Sequence, residues 1–164
     1  VNARGADHNR SGAYEADLSG RHDRLHGGEP HVRGAIETED RAAIMDSMIL
    51  CKFLRGVFAE PFTEWATLLS LVTGWQVEAH ELRATARRIV RAKRAFNLRE
   101  GATAADDWLP ARILRTPLEL GSGRTASLSA ERLRAMIDGY YAERGLDREG
   151  RVTGADRADL LLDA

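Results

Sequence analysis

Apolar residues along this chain recur at three- and four-residue steps, and nowhere do they alternate long enough to build a useful strand. The pattern predicts helices. Glu37-Thr38-Glu39-Asp40 reads as a helix start, with Thr38 as N-cap, acids in the first turn, and Ala42, Ala43, Ile44 and Met45 continuing toward Asp46. Pro61 at N1 opens the next helix, whose apolar set is Phe62, Trp65, Leu68, Leu69 and Val72, and Gly74 ends it. The longest helix is expected from about Glu78 to Leu98, apolar at Leu82, Ala86, Ile89, Val90 and Phe96. Arg83, Arg87, Arg88, Arg91, Lys93 and Arg94 form its solvated face, and Gly101 closes it. Asp106-Asp107-Trp108-Leu109-Pro110 is a polar turn into a short segment that stops before Pro117, and Gly121-Ser122-Gly123 is a loop tip. Ser129 or Ser127 caps a helix through about Arg144, with Leu133, Met136, Ile137, Tyr140 and Tyr141 on its apolar side and Gly145 at its end. A last short helix after Thr153 holds Leu160, Leu161 and Leu162. The fold class is all-α.

Residues 1–36 differ in kind. They are rich in Gly, His, Asp and Arg and poor in large apolar side chains, so they predict loop, or a segment packed on something else. Four of the five histidines (His8, His22, His26 and His31) fall there, at spacings that match no zinc signature and with no cysteine beside them, so no dedicated zinc site is expected. The opening Val1-Asn2-Ala3-Arg4-Gly5 reads like the middle of a loop, which suggests a chain that begins inside a longer protein.

Composition narrows the function classes. At 164 residues with 43% hydrophobic and 30% charged, the chain can bury a real core and reads as a soluble globular protein. Its 24 basic and 25 acidic residues nearly cancel, which gives no electrostatic case for nucleic acid or an anionic membrane. The Arg-rich helix lacks the interleaved aromatics that stack bases. No apolar run approaches the roughly 20 residues needed to span a bilayer. A single cysteine excludes an internal disulfide and points to a reducing, cytoplasmic setting. That residue, Cys51, ends the stretch Asp46-Ser47-Met48-Ile49-Leu50-Cys51. By residue type it can be a small buried apolar side chain, a reactive thiol, or one ligand of a metal cluster completed elsewhere, and taken alone the buried side chain is favoured.

Thr73-Gly74-Trp75-Gln76-Val77 with Glu81-Leu82, Arg88-Ile89 and Arg94-Ala95-Phe96-Asn97-Leu98-Arg99-Glu100-Gly101 resemble the C-terminal region of the aldehyde ferredoxin oxidoreductase family. So do Asp106-Asp107, Leu109-Pro110-Ala111-Arg112, Pro117-Leu118, Met136, Tyr140-Tyr141, Arg144-Gly145 and Gly150, in that order. Arg4-Gly5-Ala6-Asp7-His8 is similar to the segment that carries the family's active-site histidine. Asp46 to Cys51 resembles the second of two Asp-x-x-Gly-Leu-Cys/Asp pterin motifs.

The resemblance implies that Asp46 accepts hydrogen bonds from pterin amino groups, that the backbone near Leu50 helps hold that ring, and that Cys51 is the final thiolate of a [4Fe-4S] cluster. Those residue types suit the chemistry: a carboxylate matches adjacent N–H donors, and iron-sulfur clusters take soft thiolates. It implies His8 as the group that orients the substrate carbonyl or moves a proton. The expected reaction is aldehyde plus water to carboxylic acid at a tungsten (or molybdenum) bis-pterin, with electrons leaving through the cluster to ferredoxin. A thioester-linked ring or a phosphorylated aldehyde is a further substrate class. The sequence departs from the motif at Ile49, where the family usually has Gly. If that position needs φ > 0, a β-branched residue there predicts a shifted loop or a weaker pterin contact.

One cysteine cannot hold a four-ligand cluster, and the family's Cys-x-x-Cys-x-x-x-Cys group is absent. Residues 1–36 are therefore expected to pack on the cofactor and on a missing N-terminal domain or subunit, with 37–164 as the helical C-terminal domain. The competing expectation is a non-catalytic helical module for assembly that has lost the cofactor. A homo-oligomer is compatible with either.

Overall fold

The structure is a computed structural model that describes residues 1–5, 7–154 and 160. It is mostly helical, as expected: α1 (Tyr14–Leu18), α2 (Glu29–Ser47), α3 (Pro61–Thr73), α4 (Ala79–Arg99), α5 (Ala111–Arg115) and α6 (Ala130–Arg144). Short 3₁₀ turns at Lys52–Leu54 and Ala104–Asp107 join them, and β1 (Leu118–Glu119) pairs antiparallel with β2 (Thr125–Ala126). This small hairpin puts Gly121-Ser122-Gly123 at its tip. Two-residue strands are too short to show alternation, so nothing in the sequence announced them. Of the helix expected over Leu160–Leu162, all but Leu160 lies outside the described residues.

Local signals placed most helix ends. Glu78 caps α4 in a capping box with Glu81, the Ser129 side chain accepts the Arg132 N–H at the start of α6, and left-handed Gly74 and Gly145 end α3 and α6. The start of α2 is a correction. It begins at Glu29 behind Gly28, with Pro30 in its first turn, and Thr38 lies mid-helix. The Thr38 hydroxyl donates to Gly34 O at 2.9 Å within the helix and meets Ser11 Oγ at 3.0 Å, so it caps nothing.

Helix α2 is the central element, packed on α4 along one side and on α6 along another. Its C-terminal half, with Ile44 and Met45, shares a core with Phe62, Trp65 and Ala66 of α3 and Leu82 and Ala86 of α4. Its N-terminal half contributes Val32 to a second core with Leu133, Ile137, Tyr140 and Tyr141 of α6. The predicted apolar face of α3 is only partly used. Phe62 and Trp65 are buried, whereas Leu68, Leu71 and Val72 are exposed.

Between the two cores lies a buried ionic network. Arg144 of α6, 1% exposed, donates to Asp40 Oδ1 at 2.5 Å and Glu39 Oε2 at 2.9 Å, and the Tyr140 hydroxyl donates to the same Glu39 oxygen at 2.6 Å. Burial pushes the Asp40 carboxyl up despite Arg144 beside it. A second buried cation corrects the expected solvated face of α4. Arg94 forks onto Asp107 at 3.0 and 2.6 Å, and its Nε donates to Gly150 O at 3.1 Å. Gly150 must be glycine there, because it has φ +70° and a Cβ would lie 2.4 Å from the Arg94 guanidinium.

Candidate functional site

The last turn of α2 sets the geometry. Met48 caps it, Ile49 N–H donates to Asp46 O at 3.2 Å, and Leu50 N–H reaches back to Met45 O at 2.8 Å. This is a Schellman ending, whose C′ residue is left-handed and usually glycine. Here it is Ile49, with φ +57°, the one non-glycine residue with positive φ among the described residues. The chain adopts the left-handed turn here although a β-branched side chain disfavours it. The turn leaves Ile49 exposed, half-buries Leu50 against the first core, and leaves Cys51 exposed in extended backbone. Cys51 is therefore not the buried apolar residue that its own segment favoured.

One turn before this ending, Asp46 faces a polar cleft. Lys52, just past the turn, folds back to place Nζ 2.7 Å from Asp46 Oδ1 and 3.3 Å from Ala42 O. Arg10, from the N-terminal segment, pairs with Asp46 Oδ2. That segment is tied across α2 by Arg55, which bonds Glu15 at 3.2 Å and Asn9 at 3.4 Å, and by Asn97 of α4, which donates to Ala3 O at 2.7 Å. The result is a cleft of about 500 Å³ lined by Arg4, Asp7, His8, Asn9, Arg10, Asp46 and Lys52. A more apolar cavity of about 490 Å³, walled by Ala42, Ala43, Val90 and Phe96, shares Arg4, Arg10 and Asp46 with it.

The cleft sets Arg4, Arg10 and Lys52 around the carboxylates of Asp46 and Asp7. Desolvation, reinforced by repulsion from Arg55 and Arg10, lowers the Lys52 ammonium from its ordinary value, and desolvation with repulsion from Arg10 and Lys52 lowers Lys93. Asp7 is held below the usual carboxylate range by the Asn9 N–H it accepts at 2.8 Å. An anionic or amine-bearing ligand suits such a cleft, because a carboxylate has about four lone-pair sites and two cations do not exhaust them.

Of the residues singled out by sequence, His8 and Asp46 line one cleft. The His8 ring is exposed and meets Tyr14 edge-on at 6.4 Å. Leu50 and Cys51 do not line that cleft but follow Asp46 directly on the turn. Neither Lys52 nor Arg10 stands among the residues singled out by sequence. Nothing near Arg10 in the chain announces its pairing with a residue 36 positions on; only the fold brings the two together.

Residues 1–162 match the family model described as aldehyde ferredoxin oxidoreductase, domains 2 and 3. The tungsten-containing aldehyde ferredoxin oxidoreductase of Pyrococcus furiosus is 32% identical over 123 residues, covering 74% of this chain and 19% of its own length. That of Pyrococcus horikoshii is 30% identical over 134 residues, covering 80% of this chain and 21% of its own. Among solved structures, the active site complex BamBC of benzoyl coenzyme A reductase in complex with 1,5-dienoyl-CoA superposes with a TM-score of 0.63 at 21% identity. It covers 83% of this chain and 20% of that one, a likeness of fold. The chain spans about a fifth of the length of the relatives it matches.

Proposed function

The chain belongs to the aldehyde ferredoxin oxidoreductase family, and from that premise we propose that it forms the helical part of a tungsten (or molybdenum) pterin oxidoreductase converting aldehydes to carboxylic acids. The observation that carries the reading is Asp46 in a cationic cleft with His8 on its wall and an exposed cysteine five residues on.

The residues present fit the implied cofactors. Asp46 offers acceptor oxygens to a pterin's amino groups while Arg10 and Lys52 hold it in place. The backbone at Leu50 is fixed by its bond to Met45 O, so it can support that ring without moving. Arg4, Arg10 and Lys52 suit a cofactor's anionic groups. Cys51 is exposed and so can reach a cluster whose other three thiolates come from outside this chain, which has no other cysteine. When bound, the metal-pterin and the cluster supply oxygen transfer and a path for two electrons. His8 orients the aldehyde carbonyl in the cleft and accepts a proton as water adds. The balance is aldehyde plus water giving carboxylic acid, two protons and two electrons, the electrons passing to ferredoxin. In this reading the segment before α2 packs against the cofactor and a further domain, and the helical domain begins with α2, because the boundary expected at 36/37 falls inside that helix.

The test is metal analysis and visible absorption of the chain expressed alone and together with its upstream coding sequence. Iron and a broad charge-transfer absorption that appear only on co-expression and vanish in Cys51→Ala support the reading. A well-folded co-expressed protein with neither iron, tungsten nor molybdenum overturns it and leaves a helical assembly module.

A further inference from the structure

The N-terminal segment brings together three side chains that the cleft does not use. Asp17 comes from α1, His22 from the loop after it, and His31 from the first turn of α2. We infer that Asp17, His22 and His31 form a binding site for a divalent transition-metal ion of the zinc class, separate from the cleft at Asp46. One ligand atom from each residue lies within 4.8 Å of the other two. The two imidazole rings are 4.9 Å apart between centroids and tilted by 52°, so they converge rather than stack.

Three further observations favour a built site over a chance meeting. First, His22 Nδ1 and His31 Nδ1 are shielded from solvent and have no hydrogen-bond partner, a costly state for polar atoms that a cation relieves. Second, His31 Nε2 lies 3.1 Å from Asp17 Oδ1, which accounts for one contact but leaves His22 unexplained. Third, the His22 ring occupies the space beside Gly34 of α2, where a Cβ would come 2.7 Å from Cε1. Glycine in a helix interior weakens the helix, and here it is what lets His22 approach His31.

The donor set fixes the chemical class. Two imidazoles and one carboxylate suit zinc and ferrous iron and leave at least one position open for water. Ligand distances of about 2.0–2.2 Å require the three atoms to draw in to roughly 3.4 Å of one another, a movement of about 1 Å. The spacing of the two histidines, nine residues apart with the carboxylate five before the first, matches no short motif. The expectation of no dedicated zinc site rested on sequence spacing, and the site departs from it because the three residues meet only in the fold.

The test is titration of the full chain, stripped with a chelator, with Co²⁺ and then with competing Zn²⁺. One equivalent of Co²⁺ binds with visible d–d absorption and no thiolate charge-transfer band, and Zn²⁺ displaces it. His22→Ala, His31→Ala and the near-isosteric Asp17→Asn each weaken binding by at least the about tenfold that loss of a mere supporting contact costs. His80→Ala, on the exposed face of α4, changes nothing. Far-UV circular dichroism checks that each variant folds, and Asp17→Asn decides the matter if the histidine variants do not. Unsaturable uptake, affinity unaltered in Asp17→Asn, or a thiolate band from Cys51 overturns the site. The readout involves neither tungsten nor the cluster, so it stands or falls apart from the proposed activity.

Discussion

Replacing Ile49 with glycine should make this protein more stable, although a buried-core argument would say that removing a large apolar side chain costs stability. Ile49 sits at φ +57° and is 90% exposed. The left-handed conformation costs an L-residue about 1–2 kcal/mol, toward the upper end for a β-branched side chain. Glycine escapes that penalty but gives up about 0.5–1 kcal/mol of chain entropy on folding. With so little of Ile49 buried, truncation forfeits almost no hydrophobic burial. The net gain is about 1 kcal/mol, which in a chain of this size raises the melting midpoint by about 2–4 °C. Thermal and urea unfolding followed by circular dichroism would measure it. Ile49→Asn, which tolerates this conformation, should gain less, and Ile49→Val, which keeps the β-branch, should match the parent. A glycine variant that melts at or below the parent would show that the turn carries no strain, and that the side chain makes a contact its exposure does not reveal.

The buried network between α2 and α6 gives a second expectation. Arg144→Met leaves Glu39 and Asp40 buried without their cation and should cost about 3–5 kcal/mol in urea unfolding, whereas Tyr140→Phe, which removes one donor to Glu39, should cost about 1–3 kcal/mol. Equal, small losses in both would mean that water replaces the arginine. A third concerns Asp107. Burial pushes its carboxyl up, but hydrogen bonds from Tyr141 and Arg94 outweigh burial and hold it below its ordinary value of 3.8. A depressed carboxylate stabilises the fold in full above the unfolded value and loses that contribution as pH falls through the folded one. Asp107→Asn should therefore be clearly less stable than the parent at neutral pH, with the gap closing as both are acidified below pH 3.8. A gap independent of pH would remove the charge from the explanation.

What the sequence determined by itself is local. Pro61, Gly74, Glu78 with Glu81, Ser129 and Gly145 mark helix ends because each satisfies or releases backbone groups within a few residues. The Asp46–Cys51 stretch stood out because it resembles a family motif contained within six residues, and even the conflict at Ile49 could be read from the side chain alone. The start of α2 was not, because Thr38 looks like a cap in any short window and only Gly28, Pro30 and a tertiary contact to Ser11 show that the helix is already under way. Leu68 and Val72 follow the helical period of α3, yet the period says which side is apolar and not what covers it. Tertiary structure alone decided which charges are buried. Arg94 and Arg144 look like their solvated neighbours until Asp107, Glu39 and Asp40 arrive from distant positions. The same holds for Arg10 on Asp46 and for Asp17 beside His22 and His31. A helix end is fixed by residues three or four apart, whereas a desolvated charge is fixed by whichever partner the completed packing sets against it.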